Sequence, residues 1–294
     1  MNSETKLQID LEACRQRNSQ LSSENDELVR SLFDVNDKLR DSEKLKGHFI
    51  SNITNEIVNP FTSVIALAQN IKQLKEGEIA QAHRMAEMIY LEAFQLDFQL
   101  KNIFAAAQIE AGNEDMKRSS FRIDELGESL SHYFESLLNK RNIRLSVRFI
   151  NNLNADLPVS FVSDKEKVDL ILKNLISNSI KYSPENSVIE LEFYMERGCL
   201  VMEISDHGKG IHEVDRKIVF DRFKQLDEKI NSINTGHGLG LSIVQAYSEM
   251  LGGKVSLNDN PEGGLKIRIS IPKGDEIVGW DDLEDFLLDS EASY

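Results

Sequence analysis

Apolar residues recur over the first forty positions in a heptad rhythm. Leu11, Asn18, Asn25, Leu32 and Leu39 take the a places, and Leu7, Cys14, Leu21, Leu28, Val35 and Ser42 the d places, the pattern that winds helices into a coiled coil. Asparagine at a costs stability but favours a parallel two-stranded register, because each amide can pair with its counterpart across the axis. About five heptads without proline or glycine are too long an apolar seam for a single solvated helix. Residues 1–43 are therefore expected to form a parallel coiled coil between two copies of the chain.

The helical period continues through Lys44 to about Leu74, breaks at Lys75-Glu76-Gly77-Glu78, and resumes from Ile79 to Glu110 before Gly112 ends it. Two helices that are apolar over much of their circumference need partners. The pattern predicts an antiparallel helical hairpin over 44–112, paired with a second copy as a dimeric four-helix bundle. After Ser119 the rhythm changes. A short apolar stretch, Phe121 to Ile123, leads into a helix from Asp124 to about Asn139. Strands are expected over Ile143 to Ile150, Val188 to Tyr194, Leu200 to Ser205, Lys254 to Leu257 and Leu265 to Ile271, with helices over Asp164 to Tyr182 and Leu239 to Leu251. Helices on one face of a largely antiparallel sheet make an α+β sandwich over 119–273. The segment 274–294 differs again: from Asp275 to Glu291 there are eight acidic residues and no lysine or arginine, with Trp280, Leu283 and Leu287 on one helical face. It reads either as a docking helix or as an acidic tail that folds back or stays unstructured.

Composition narrows the partners. With 40% hydrophobic and 28% charged residues the chain is ordinary for a soluble globular protein. It has no stretch near the roughly 18 consecutive apolar residues of a membrane span, and it starts polar and acidic; the expectation is a cytoplasmic, unanchored protein. The net charge of −15 argues against nucleic acid and anionic membrane surfaces, both of which attract basic faces. Cys14 and Cys199 are too few for a disulfide framework or a thiolate metal site.

Four segments of the second domain carry chemistry. Asn174-Leu-Ile-Ser-Asn178-Ser-Ile-Lys181-Tyr182 sets two carboxamides four apart on one helical face, with a lysine one turn on. Carboxamide oxygens suit Mg²⁺ and lysine suits phosphate. Asp206-His-Gly208-Lys-Gly210 follows an apolar strand; the carboxylate can accept from an exocyclic amine, and the glycines let backbone approach a ligand. Val219-Phe220-Asp221-Arg222-Phe223 supplies two aromatics for a lid. Gly236-His-Gly238-Leu-Gly240-Leu241 opens a helix whose free amides can hold phosphate. Each alone is a weak signal. In this order, over Phe121 to Pro272, they resemble the asparagine box, two glycine boxes and phenylalanine box of the histidine kinase ATP-binding domain.

The resemblance implies ATP and Mg²⁺ as ligands. It places Asn174 and Asn178 at the magnesium and phosphate end, with Asn178 as the metal ligand, Lys181 and Arg222 near phosphate, and Asp206 reading adenine. Related ATPases of topoisomerase and chaperone type carry glutamate at the position of Asn174 to activate water; an amide lacks that basicity, so direct hydrolysis of this kind is disfavoured.

The same family carries a phenylalanine, a His-Glu pair and then a proline on its first bundle helix. This chain reads Phe49-Ile-Ser-Asn-Ile-Thr-Asn55-Glu56-Ile-Val-Asn59-Pro60, and Ala105-Ala-Ala-Gln-Ile-Glu-Ala-Gly112 resembles the end of the second. Asn55 stands where histidine is expected. An amide nitrogen delocalises its lone pair into the carbonyl, so even beside Glu56 it is no nucleophile, and autophosphorylation there should be absent. His48 lies two turns away, about 10 Å along the helix, and is the weaker substitute. His83, His132, His207, His212 and His237 have lesser claims, though His207 and His237 are placed to line a nucleotide. Asn59, three residues after the acid, matches a family position associated with dephosphorylating a response regulator by positioning water, a role that needs hydrogen bonding rather than a nucleophile; the alternative is a residue that merely precedes a helix proline.

Three readings follow. The favoured one is a homodimeric, ATP-binding pseudokinase that docks a response regulator or another histidine kinase, with possible phosphatase action. The second is an active kinase, acting on a partner's histidine or representing an exchanged His-to-Asn form. The third is a coiled-coil adaptor with an empty nucleotide site.

Overall fold

A computed structural model describes residues 3–75, 77–112, 115–150, 160–216, 218–220 and 238–274. Arg222, Gly236, the aromatic Phe223, His237 and the acidic tail from Asp275 lie outside them, as do the side chains of His48, Asn55 and Glu56.

Two compact units meet at Asn55. In the first, helix α1 (Ser3–Lys72) supplies the whole structure. Leu21, Leu28, Leu32 and Val35, all heptad positions, are exposed there at 50%, 64%, 63% and 60%, so a single chain leaves its apolar seam in water.

The second unit begins with the last turns of α1. Pro60 sits inside the helix and is itself buried; it removes one backbone donor from the ladder, and Thr62 Oγ1 donates to the Val58 carbonyl at 2.8 Å in the same stretch. A turn over 73–78 connects to helix α2 (Ile79–Ala111), with the Lys75 N–H donating to Glu78 Oε2 at 2.7 Å. Gly112 closes α2 in the left-handed region at φ 64°, returning its N–H to the carbonyls of Gln108 and Ile109.

The rest of this unit is a sheet with helices packed on it. Strand β1 (Ser119–Arg122) leads into α3 (Ile123–Lys140), whose Ile123, Leu126, Leu130, Phe134 and Leu138 form one buried stripe. β2 (Arg144–Phe149) follows, then β3 (Ser160–Ser163), α4 (Lys165–Tyr182), β4 (Val188–Glu196), β5 (Cys199–Ser205), α5 (Gly240–Met250), β6 (Lys254–Asp259) and β7 (Leu265–Pro272). Five strands are ordered β2-β4-β5-β7-β6, with β2 parallel to β4 and the other pairs antiparallel. β1 and β3 make a separate antiparallel pair. Period-two alternation sends Ile189, Leu191 and Phe193 of β4 and Ile267, Ile269 and Ile271 of β7 inward, where β4 meets α4 and β7 meets α5; Val168, Ile171, Leu172, Leu175 and Ile176 of α4 are buried as well.

Local chemistry explains the boundaries. The β4–β5 turn has Arg197 and Gly198 both at positive φ, 50° and 78°, the conformation that matches strand twist in a two-residue hairpin. Asp164 caps α4 by accepting from the Lys167 N–H at 3.2 Å. The same carboxylate, 1% exposed as a residue, accepts from the Lys117 N–H at 2.9 Å and from Lys167 Nζ at 3.0 Å. Lys167 Nζ also donates to the Asp115 carbonyl at 2.9 Å. A buried ion pair thus fastens residues 115–117, the segment that leaves α2, onto the sheet domain.

Candidate nucleotide site

The ends of β5 and α4 and the β6–β7 turn converge on Asp206, the residue after β5. It is 6% exposed. Oδ1 accepts from the Gly208 N–H at 2.9 Å and the Leu265 N–H at 3.2 Å, and Oδ2 accepts from Ser179 Oγ at 3.2 Å. Its backbone is held as firmly: the N–H donates to the Leu265 carbonyl at 2.9 Å, and the carbonyl accepts from Asn260 Nδ2 at 2.9 Å. Oδ2, with a single donor among the described residues, retains capacity for one more, which is what recognition of an exocyclic amino group requires.

Close backbone approach makes this possible. A Cβ on Gly264 would lie 2.1 Å from the Asp206 carbonyl oxygen, and φ there is +104°. No residue with a side chain fits. On the strand's other side a Cβ on Gly208 would sit 3.0 Å from the Tyr182 carbonyl oxygen. Gly210, at φ +68°, faces the carbonyl of Gly264.

Helix α4 carries the two carboxamides. Asn178 is half-buried, whereas Asn174 is 3% exposed. Asn174 Nδ2 donates to Asn102 Oδ1 of α2 at 2.7 Å and to the Leu170 carbonyl one turn back at 2.9 Å. Gly240 opens α5 directly against both amides: its Cβ would meet Asn174 Oδ1 at 2.8 Å and Asn178 Nδ2 at 3.7 Å. Only glycine lets the free amides of this helix start stand next to the carboxamides. Gly238, at φ 66°, and the buried Leu239 lead into it.

At the far end of α4, Arg141 donates to the carbonyls of Ile180, Lys181 and Ser183, the last two at 3.1 and 2.8 Å. This fixes the last turn, where carbonyls otherwise lack partners, and with it Lys181 and Tyr182. Tyr182 is 46% exposed, and Lys181 Nζ at 5.2 Å and Lys209 Nζ at 5.4 Å from its ring centroid bring two cations to one aromatic ring.

Asp206, Gly208, Gly210, Asn174, Asn178, Lys181, Tyr182, Gly238 and Gly240, named from the sequence, therefore lie around one region. Arg222 and Gly236 fall outside the described residues. On α1, Asn59 is exposed, and Asn55 and Glu56 lie within the same helix. His83, His132 and His212 are exposed, and His207 is half-buried beside Asp206. Sequence reasoning missed Ser179, Asn260, Gly264, Arg141 and Asn102. Ser179 and Gly264 were legible in kind, as a hydroxyl inside the asparagine run and a Gly-Gly turn; Arg141 and Asn102 act across 39 residues or more, and no local pattern marks them.

Among the described residues no group of three or more His, Cys, Asp or Glu side chains is placed to hold a metal. The residues present fit Mg²⁺ in another way, since that ion keeps several waters and takes one or two protein oxygens beside substrate phosphates, and the half-buried Asn178 beside the start of α5 carries one carboxamide oxygen. No helix among the described residues is long and apolar enough to cross a membrane.

Residues 163–275 match the family of histidine kinase-, DNA gyrase B-, and HSP90-like ATPases. The sensor histidine kinase TmoS of Ectopseudomonas mendocina is 26% identical over 239 residues, 80% of this chain and 24% of its own length. The chain thus spans about a quarter of that curated relative. Among solved structures, full-length ShkA in complex with AMPPNP superposes with a TM-score of 0.55 at 19% identity, over 77% of this chain and 46% of that one. Histidine kinase ThkA, in complex with the response regulator protein TrrA, gives 0.50 at 20%, over 80% and 64%. At such identities the structural likeness is one of fold. Residues 163–275 thus carry an ATPase domain of the histidine kinase-, DNA gyrase B-, and HSP90-like kind, and the longer stretch around it resembles the core of sensor histidine kinases.

Proposed function

We propose that the protein is a homodimeric two-component signalling protein that binds ATP with Mg²⁺ and does not phosphorylate itself at the usual helix position. The observation that carries the nucleotide reading is Asp206: a buried carboxylate with one oxygen still able to accept, set among glycines of which Gly264 leaves no room for a side chain. Asp206 holds the adenine amine, Asn178 the metal, and Lys181 and the amides at Gly240 the phosphates, with Arg222 a further phosphate contact by the sequence resemblance. Bound Mg²⁺ neutralises phosphate charge. The solved structure of ShkA with AMPPNP supports nucleotide as the ligand of this fold.

Asn55 removes the nucleophile, and Asn174 replaces the water-activating carboxylate of related ATPases, so neither self-phosphorylation at Asn55 nor hydrolysis of that kind is expected. Asn59 is exposed on α1 and is free to orient water against a phosphorylated partner; with a response regulator docked, dephosphorylation needs no more. The ThkA–TrrA complex supports a response regulator as partner, a second histidine kinase being the other. The dimer rests on unpartnered apolar surface. Val58, Phe61 and Ile65 share one face of α1 at 50%, 56% and 50% exposure, as the heptad positions of residues 1–43 do on theirs. In this arrangement 1–43 is the parallel coiled coil, 44–112 the dimeric four-helix bundle, 119–273 the ATP-binding domain and 274–294 an acidic appendage.

Incubation with Mg²⁺ and γ-labelled ATP, beside Asn55→His and with a fluorescent ATP analogue in parallel, tests this. The expected result is nucleotide binding by both proteins and label on Asn55→His alone. Label on the unaltered protein would point to His48 or another acceptor and overturn the pseudokinase reading; absence of binding would leave the coiled-coil adaptor.

A further inference from the structure

Helix α3 and strand β2 part along a groove at the edge of the large sheet. Two adjoining cavities of about 550 and 360 Å³ share Ser131 and Glu135 and run from Gly127 and Phe149 to Leu138 and Arg144. β2 is the end strand in the order β2-β4-β5-β7-β6, so among the described residues its outer side has no partner strand. The register decides which backbone groups stand there. The Arg144 and Ile150 N–H groups donate to the Ser187 and Phe193 carbonyls, on the β4 side, at 3.0 and 2.9 Å. Alternation then turns the N–H and carbonyl groups of Leu145, Val147 and Phe149 to the open edge.

The same three residues send apolar side chains towards α3, and all three are half-buried. Gly127 lets the helix lie against two of them, since a Cβ there would meet Val147 at 3.0 Å and Phe149 at 3.2 Å. Open edges are ordinarily blunted by a proline, a bulge or an inward-pointing charge. β2 pairs with β4 in unbroken register and contains no proline, and its Arg148 alternates to the other face, where Glu190 and Glu192 hold it at 2.7 and 2.8 Å. The wall opposite is acidic. Glu128 and Glu135 of α3 are exposed along the groove, and the His132 imidazole lies 3.5 Å from Glu135. A lysine or arginine suits both surfaces at once, its methylenes covering Val147 and Phe149 while its charge reaches the carboxylates.

We propose that this groove takes an extended segment of a partner protein as an added strand on β2, with lysine or arginine at the alternate positions that face α3. Backbone bonds to Leu145, Val147 and Phe149 give affinity, and Glu128 and Glu135 select basic side chains. None of these residues belongs to the nucleotide site, so the partner joins the domain without entering it.

The test uses the full chain and a labelled peptide, Lys-Thr-Lys-Thr-Lys-Thr-Lys, with Glu-Thr-Glu-Thr-Glu-Thr-Glu as its counterpart. N-methylation of the lysines or of the threonines blocks one backbone edge of the peptide or the other and leaves the protein untouched. Fluorescence anisotropy is expected to show the lysine peptide binding at least about tenfold more tightly than the glutamate one, with binding lost in one N-methylated series and kept in the other. Glu128→Lys combined with Glu135→Lys, both at exposed positions, should weaken binding about tenfold, the worth of two rim ion pairs turned repulsive. Residue-resolved amide exchange should find Leu145, Val147 and Phe149 unprotected in the free protein and slowed by the peptide. Equal binding of the two peptides, or equal behaviour of the two N-methylated series, would overturn the proposal. Protection of those three amides without peptide would also overturn it: protection lost on dilution gives the edge to a second copy, and protection kept gives it to another part of this chain.

Discussion

Gly264 tests whether backbone contact holds the adenine end of the site, and Gly263 beside it provides the control. Both have positive φ, +93° at 263 and +104° at 264. A Cβ at 263 would meet nothing within 4 Å, whereas at 264 it would lie 2.1 Å from the Asp206 carbonyl oxygen and 2.7 Å from His207 Cα. Gly263→Ala therefore carries conformational strain alone, about 1–2 kcal/mol. Gly264→Ala carries the same strain and must also push the end of β5 away from the turn by about 1 Å, to reach even the 3.0 Å below which real Cβ contacts essentially never fall. That displacement strains three hydrogen bonds: Asp206 N–H to the Leu265 carbonyl, Leu265 N–H to Asp206 Oδ1, and Asn260 Nδ2 to the Asp206 carbonyl. At about 0.5–1.5 kcal/mol each when lost, they bring the total to about 4 kcal/mol.

Urea denaturation of the two variants beside the unaltered protein measures the difference, and titration with the ATP analogue measures its consequence at Asp206. Moving the carboxylate out of hydrogen-bond range removes a charge-assisted contact worth about 1.5–3 kcal/mol, so Gly264→Ala is expected to weaken binding at least about tenfold. Gly263→Ala should leave affinity within about a factor of two. Equal stability loss in the two variants, or unchanged affinity in Gly264→Ala, would refute the claim that this turn sets the position of Asp206.

Two further outcomes follow from charged groups. Asp206→Asn keeps the side chain's shape but puts an N–H where an acceptor stood; analogue binding should fall about tenfold or more by titration, while the urea midpoint moves far less than in Gly264→Ala. Asp164→Ala takes the carboxylate from the buried Lys167 ammonium and the acceptor from the Lys117 and Lys167 N–H groups, a loss of about 3 kcal/mol, read as a fall in melting temperature. Burial by itself would raise the Asp164 carboxyl, but donation from the Lys117 and Lys167 backbone and from the Lys167 ammonium outweighs it and holds the group below the usual carboxylate range. With the folded value depressed, the stabilisation is fully present above the unfolded value of about 3.9 and is lost as pH falls through the folded one. The gap between unaltered protein and Asp164→Asn should accordingly be flat from pH 8 to 5 and close only below about pH 4; a gap that closes near neutrality would contradict the assignment.

What the sequence made legible was whatever short spacing encodes. The apolar stripe from Ile123 to Leu138 announced α3 within a residue of its observed bounds. Asp206, Asn178 and Gly240 were found as separate motifs because each sits at an element end where a glycine or a polar residue breaks the apolar run. Strand β3 was not found. Ser160–Ser163 has only two apolar residues, Phe161 and Val162, too few for a period, and its place is set by pairing with β1 some forty residues earlier. The parallel β2–β4 pairing was hidden for the same reason, since alternation reports which face is buried and not which neighbour a strand takes.

Asn102 shows how far this reaches into function. On α2 it stands between Lys101 and Ile103 with nothing local to mark it, and on helical periodicity alone an asparagine at that place would be assigned to solvated surface. Only the packing of α2 on α4 turns it into an acceptor. Asn174 was readable as a site residue from its spacing to Asn178, yet what that amide can do depends on the partner that no spacing encodes. A carboxylate at 174 has no hydrogen to give Asn102 Oδ1 and would set two oxygens against each other in a buried interface. The amide proposed to stand where related ATPases keep a water-activating base is therefore the same one that bonds α2, and Asn174→Glu should lose that bond even if the added carboxylate can activate water.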